Sequence, residues 1–321
     1  MASIEVTKPA DGEGVPVARA VLGLDIGGTK IAAGVVGADG SVQGFVTAPT
    51  EAHRGPENGL ERLFELGRRA VAEAGVSWST VEAVGIGCGG PLDSANGILI
   101  APLHLHGWRD VHVTELATAA LGRPAVLDND AVAACAGEHR YGAGRGTSDM
   151  VYLTISTGVG GGAVVDGALH RGRTGNGGEL GHVTVDWRGR LCGCGRRGCL
   201  EAYCSGTSIA ERAHEAGMQG ATAADVARAA QAGDAVAKRI WDETCEALAS
   251  GITSIVNLFE PEIVVLGGGV VRTGEQLLAP VRELVSAQVI GDSVPVVPAE
   301  LGDAVGVVGA ATIAYERLPS Q

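Results

Sequence analysis

Three thiols, Cys192, Cys194 and Cys199, fall within eight residues, and the imidazole of His182 stands ten residues upstream of the first. Thiolates and neutral imidazole are the donors zinc prefers, and three of one with one of the other complete a closed tetrahedral structural site. A disulfide is a poor reading of the same residues, because cysteines one residue apart pair badly and the chain carries no secretory signature. Glu179 and Glu201 bracket the knuckle. Two carboxylates on a rigid, metal-held loop are suited to gripping the hydroxyl groups of a small polar ligand.

Two glycine-rich loops offer a different chemistry. Asp25 closes an apolar run and is followed by Gly27, Gly28, Thr29 and Lys30. Bare backbone at glycine lets a phosphate approach closely, and Asp25 can hold Mg²⁺ directly or through water. An ordinary hairpin turn has the same residues, so both readings stand for this loop alone. Ser156 to Gly162 repeats the pattern, with Thr157 as a hydrogen-bond donor to phosphate and Gly158 and Gly160 opening the backbone. Neither loop fits the P-loop spacing, which disfavours a Walker-type NTPase. A third glycine run, Gly267 to Gly269, follows an apolar strand. Gly268 and Gly269 either serve close helix packing or leave room for a flat ring beside Thr157.

Asp128-Asn129-Asp130 arrives just ahead of a helical pattern over 131–141. One aspartate there can be an N-cap, but three polar side chains exceed what one cap requires. Positive potential at the helix start favours an ionised Asp130, able to accept a proton from a substrate hydroxyl. Asn129 can both donate and accept, which suits a sugar.

The elements that must position these groups are legible in part. Val21 to Asp25 and Ile31 to Val36 read as a hairpin around the first glycine loop, and Met150 to Ile155 with Ala163 to Val165 repeat it around the second. Two such copies, one opening each half, indicate an internal duplication with a cleft between the halves. Helical stripes run from Glu57 to Gly75, from Asp234 to Phe259 and from about Gln276 to Val289, with buried strands at 124–127 and 262–266. Strands alternating with helices imply an α/β fold.

Composition bounds what the site can serve. A chain of 321 residues, 45% hydrophobic, with mean hydropathy +0.20, can bury a large core in two domains or lobes. A net charge of −13 excludes nucleic acid as the main partner, since that needs a clustered basic surface. Residues 1–20 lack the basic and apolar regions of a signal peptide and read as a disordered tail, and no apolar run is long enough to span a bilayer. Seven cysteines, an odd number, suit reduced thiols and a cytoplasmic location.

Together the motifs resemble the ROK family of sugar kinases and repressors, within the actin-like ATPases. The resemblance rests on Leu24 to Lys30, Gly85 to Asp93, Asp128-Asn129-Asp130, Ser156 to Gly162, Gly178 to His182 and the knuckle ending at Glu201. It implies a duplicated, two-lobed α/β fold of the ribonuclease H-like type with central mixed sheets. The small lobe would span residues 21–130, rejoined by a C-terminal helix over 304–318, and the large lobe 131–303. It also implies ATP-dependent phosphorylation of a hexose at its 6-hydroxyl, with Asp130 as general base and Gly90, Asn129, Glu179, His182 and Glu201 as sugar partners. His182 would give one ring nitrogen to a structural Zn²⁺ and turn the other to the sugar, while Mg²⁺ travels with ATP. A homodimer or homotetramer is expected.

The chain departs from the family pattern twice. Leu103-His104-Leu105-His106 stands where Pro-Asn-Leu is usual before Gly-Trp, and Gly89-Gly90-Pro91-Leu92 replaces Pro-Gly-Pro-Val. Glucose is the expected substrate, with kanosamine, an N-acylated hexosamine or a cyclitol as the alternative. A repressor of the same family would need a helix-turn-helix domain, for which only a short polar segment precedes the first strand. A catalytically silent sugar sensor would not need Asp25, Thr157 and Asp130 together.

Overall fold

The computed structural model describes residues 19–317, so the expected tail lies outside the described residues except at its end. There Arg19 pairs with Glu82 and the first strand has begun by Ala20. Contacts divide the chain into two units, one made of residues 1–137 with 301–321 and the other of 138–300. The division falls inside a helix, seven residues beyond the boundary expected at 130.

The first unit is built on a five-stranded sheet. β1 (Ala20–Ile26), β2 (Lys30–Gly37) and β3 (Val42–Pro49) form an antiparallel meander, and β4 (Val81–Cys88) runs parallel to β1. Helix α1 (Pro56–Glu73) connects β3 to β4. Beyond β4 comes a small ladder of β5 (Leu92–Asp93) and β6 (Ile98–Leu99), then α2 (Val113–Leu121), β7 (Ala125–Asn129) and α3 (Asp130–Tyr141). The sheet order is β3-β2-β1-β4-β7, with β7 parallel to β4.

Alternation along β1 sets its two faces. Leu22 and Leu24 join Leu63, Phe64 and Ile86 in one core, while Val21 joins Ala83, Val307 and Ala311 in another. The second core is made with the C-terminal helix Val305–Arg317, which lies so close to the sheet that a Cβ at Gly23 would collide with the carbonyl of Val307 and one at Gly85 with that of Ala310. Only glycine fits at these two crossings.

The second unit repeats the plan. β8 (Met150–Ile155), β9 (Val159–Val165) and β10 (Ala168–Leu169) form the meander. Helices α4 (Glu201–Cys204), α5 (Gly206–Glu215), α6 (Ala223–Gln231) and α7 (Ala235–Phe259) follow, and then β11 (Ile263–Gly267), α8 (Glu275–Gln288) and β12 (Val296–Pro298). The order β10-β9-β8-β11-β12, with β11 parallel to both neighbours, is the order and sense of the first sheet again. The duplication read from two hairpins therefore extends to all five strands. α7 begins where the Asp234 carboxylate accepts from the N–H groups of Val236 and Ala237, and it ends at Glu260 in a left-handed conformation before Pro261. Its Ile240, Leu248, Ile252 and Ile255 share a core with Val151, Leu153 and Ile155 of β8.

One expectation is corrected. Val159 to Gly162 are not loop but the start of β9, with Gly160 opposite Thr154 and Gly161 opposite Leu153. The turn between β8 and β9 is only Ser156, Thr157 and Gly158, because the glycines after it pair as regular strand and Gly161 makes room for Leu180.

Candidate active site

In the first unit the parallel strands deliver their carboxyl ends in register. Asp25 of β1 lies opposite Gly87 of β4, Gly87 lies opposite Asp128 of β7, and Cys88 lies opposite Asn129. Ligands of open α/β sheets bind beyond such strand ends. Asp128 is fully buried, its Oδ1 accepting from the Asn129 N–H and its Oδ2 3.6 Å from Arg317. Asn129 is the helix cap, since its Oδ1 accepts from the N–H groups of Ala131 (2.9 Å) and Val132 (3.2 Å). That leaves the Asn129 amide nitrogen as a donor. Asp130, weighed in the sequence as a cap, is spared the role. One carboxylate oxygen accepts from the Ala131 N–H at 2.8 Å, while the other faces Gly89, where an added Cβ would lie 3.8 Å away.

Electrostatics couple the two aspartates. Burial, and then the charge of Asp130, pushes the Asp25 carboxyl up to about 7, with Lys30 opposing. Burial likewise raises Asp130, opposed by the Ala131 N–H and by His104. The helix start that was expected to keep Asp130 ionised thus acts against a larger desolvation cost. Burial, then Asp130 and Asp25, raise the Cys88 thiol between them. Asp25 also meets the first turn of the C-terminal helix, where a Cβ on Gly306 would come 2.5 Å from its Oδ2. The glycine loop closes through the Gly27 N–H donating to the Lys30 carbonyl, and Thr50 donates to the Gly27 carbonyl. Gly28, Thr29 and Lys30 are exposed.

His104 and Gly90 belong to the same neighbourhood. The Leu103 N–H donates to the Gly90 carbonyl, and the His104 side chain covers Gly28 so closely that a Cβ there would sit 2.7 Å from its own. The sequence left His104 and His106 without a role. Only His104 is tied to the glycine loop and to Asp130.

In the second unit, His182 ends a short 3-10 turn over Leu180–His182, and an isolated bridge pairs Thr184 with Cys199. The ligand atoms of His182, Cys192, Cys194 and Cys199 all lie within 4.8 Å of one another. Cys192 Sγ is 3.7 Å from His182 Nδ1, and Cys194 and Cys199 are 3.7 Å apart, with no disulfide. Bonds of about 2.3 Å in a tetrahedron place sulfurs about 3.8 Å apart, so the donor set fits zinc. The other ring nitrogen of His182, Nε2, is 3.9 Å from Glu179. Glu201 reaches both ways: Oε1 is 3.6 Å from Cys192 Sγ and Oε2 accepts from the Val159 N–H at 3.0 Å. Gly158 must be glycine for this reach, because a Cβ there would come 2.7 Å from Oε2. Thr157 is exposed at the tip of the same turn. Gly268, at φ +93°, would overlap the Ile155 carbonyl if it carried a Cβ, so the glycine run and the Thr157 turn are neighbours across β8 and β11. Gly269 has open space around it.

Thr207 was missed. Its hydroxyl donates to the Thr157 carbonyl at 2.9 Å. The signal available was the hydroxyl cluster Ser205, Thr207 and Ser208 ahead of Ile209, a helix N-terminus signature. Ser205 does cap α5, accepting from the Ser208 N–H.

The same arrangement of sheets is found in solved proteins. A ROK hexokinase from Thermus thermophilus superposes with a TM-score of 0.81 at 40% identity, over 92% of this chain and 98% of that one. A ROK family glucokinase from Streptomyces griseus, solved with glucose and AMPPNP, gives 0.78 at 34% identity, over 92% and 99%. The glucokinase of Thermotoga maritima is 38% identical over 315 residues, 93% of this chain and 98% of its own length. These are the duplicated α/β folds of the actin-like ATPases, and the model of the ROK family itself matches residues 21–317. With the match running from the first strand to the last described helix, the chain belongs to the ROK family.

Proposed function

We propose that the protein is an ATP-dependent glucose kinase that phosphorylates the sugar at its 6-hydroxyl. The observation that carries this reading is Asp130, a carboxylate set at a helix start beyond the strand ends, with one oxygen fixed by backbone and the other turned toward bare glycine. The name of the Thermotoga relative and the glucose and AMPPNP in the Streptomyces griseus structure support it.

Phosphoryl transfer through a loose transition state demands alignment and charge neutralisation more than covalent help. Asp130 accepts the hydroxyl proton as the bond from that oxygen to the γ-phosphorus forms. The bond from phosphorus to the bridging oxygen breaks, and ADP leaves. Asn129, its carbonyl oxygen committed to the helix, donates its amide to a sugar hydroxyl, and Gly90 offers backbone. Gly27 closes the turn through its N–H, so that Gly28, Thr29 and Lys30 present N–H groups, a hydroxyl and an ammonium to phosphates, and Asp25 would hold the Mg²⁺ that accompanies ATP, which would supply charge neutralisation.

Glu179, His182 and Glu201 are the further sugar partners in this reading. Thr157, Gly158, Gly160, Gly268 and Gly269 serve the nucleotide. His182, Cys192, Cys194 and Cys199 would hold a structural Zn²⁺, which would fix the tautomer and aim of His182. The reduced thiols fit a cytoplasmic enzyme, and a homodimer or homotetramer is the assembly proposed.

The test is ADP release, coupled to a reporter, across glucose, kanosamine, glucosamine, N-acetylglucosamine, N-acetylmannosamine and a valiolone-type cyclitol. Release with glucose and silence with 6-deoxyglucose is the expected result, and silence with every sugar would sink the kinase. The departure from the family pattern at Leu103 to His106 keeps a 3-amino or otherwise modified glucose as the second reading, which a tenfold preference for another sugar in the panel would establish.

A further inference from the structure

The three-residue turn Ser156-Thr157-Gly158 is immobilised by groups that belong to the metal knuckle and the helix after it. The Ser156 N–H closes the turn on the Gly158 carbonyl at 2.9 Å. The Ser156 carbonyl accepts from the Gly206 N–H at 2.7 Å. The Thr157 carbonyl accepts from the Thr207 hydroxyl at 2.9 Å and, more weakly, from the Thr207 N–H at 3.4 Å. With both carbonyls held by the first turn of α5 and the N–H groups of Ser156 and Val159 engaged, the donors the turn can offer an anion are the N–H groups of Thr157 and Gly158 and the hydroxyl of the exposed Thr157.

The third restraint comes from Glu201. Its Oε2 holds the Val159 N–H at 3.0 Å, its Oε1 lies 3.6 Å from Cys192 Sγ, and its carbonyl accepts from Ser208 at 2.9 Å. Glu201 stands two residues after Cys199, so the backbone that the cysteine cluster fixes also sets where its carboxylate meets the end of the turn. A carboxylate has about four acceptor positions, so holding Val159 leaves room for a sugar hydroxyl as well.

We propose that Thr207 and Glu201 are positioning residues for the nucleotide, and that Glu201 makes the metal knuckle a determinant of nucleotide affinity as well as of sugar binding. This rests on the reading that the Thr157 turn meets ATP phosphates. Preorganised donors act without ordering cost at the moment of binding, and a turn released from its clamp must pay that cost again.

Thr207→Val keeps the shape and removes the donor; Thr207→Ser restores it. Thr207 is exposed, and its hydroxyl and its N–H both go to the Thr157 carbonyl, so its variants report on the turn. Calorimetric titration with AMPPNP, paired with KM for ATP and for glucose, is the measurement. Losing one hydrogen bond of this kind weakens binding about three- to tenfold. We expect that factor in the AMPPNP Kd and in KM for ATP with Thr207→Val, an unchanged KM for glucose and near wild-type values with Thr207→Ser. Wild-type enzyme stripped of metal by a chelator, with its circular dichroism intact, should lose AMPPNP affinity and regain it when Zn²⁺ is added. An unchanged Kd in Thr207→Val, a rise in both KM values together, or full AMPPNP affinity in the stripped enzyme would overturn the coupling. Failure of the kinase reading has a different signature, wild-type protein that releases no ADP with any sugar, and the coupling falls with it.

Discussion

Asp130 and Asp25 divide the work of two neighbouring carboxylates by their surroundings. Asp130→Asn should lower turnover by about 100-fold or more while sugar affinity falls much less, because a general base acts in the transition state. Steady-state kinetics with a calorimetric glucose titration decides it, and near-normal turnover would reduce Asp130 to an N-terminal helix residue. Asp25 carries a pH signature. Its carboxyl is raised from 3.8 to about 7, so the folded state binds this proton more tightly than the unfolded chain. The stability it contributes is complete below about pH 4 and is lost as pH rises through about 7. Thermal melts of protein free of Mg²⁺ and ATP should show wild type losing stability relative to Asp25→Asn between those limits. Parallel curves would remove the shift. Since His104 opposes the rise at Asp130, His104→Ala should move the acid limb of kcat to higher pH, which a pH–rate profile with glucose would read.

At the scale of elements, two contacts carry more than their length suggests. The knuckle depends on four donors, so Cys194→Ser should lower bound zinc, Tm and glucose affinity together. Elemental analysis of protein purified without added metal is the check, and active enzyme holding less than a tenth of an equivalent would remove the site. The crossing of Gly85 with the Ala310 carbonyl admits no side chain. Gly85→Ala should therefore cost about 3 kcal/mol in denaturant unfolding, as backbone cannot yield like a rotamer. How much of this was legible follows from what the sequence can encode locally. The long helix to Phe259 and the two hairpins announced themselves by period and by glycine. β9 did not, because four residues of Val-Gly-Gly-Gly look like loop until their partners in β8 are known. β4 and the short α4, whose first residue is Glu201, gave no period long enough to read. Asn129 was named with Asp130, but which of them caps α3 depends on a choice between two side-chain oxygens that spacing does not make. Thr207 is invisible for a similar reason: its partner lies 50 residues away.

For the molecule as a whole, the order of the chain has a consequence for its making. The first sheet is specified by residues 20–129, yet the helix that covers its Val21, Ala32 and Ala83 face comes from residues 305–317, with the whole second unit encoded between them. A ribosome therefore emits an unfinished first unit, then a unit whose residues are contiguous, and only last the piece that completes the first. During that interval the apolar face of the first sheet is bare, an aggregation hazard that a holding chaperone would relieve. Chains released before residue 305 should be recognised by proteases through the first unit while the second, needing nothing from the far end, resists. Limited proteolysis of a fragment ending at Glu300 would show a protected core beginning near Glu138.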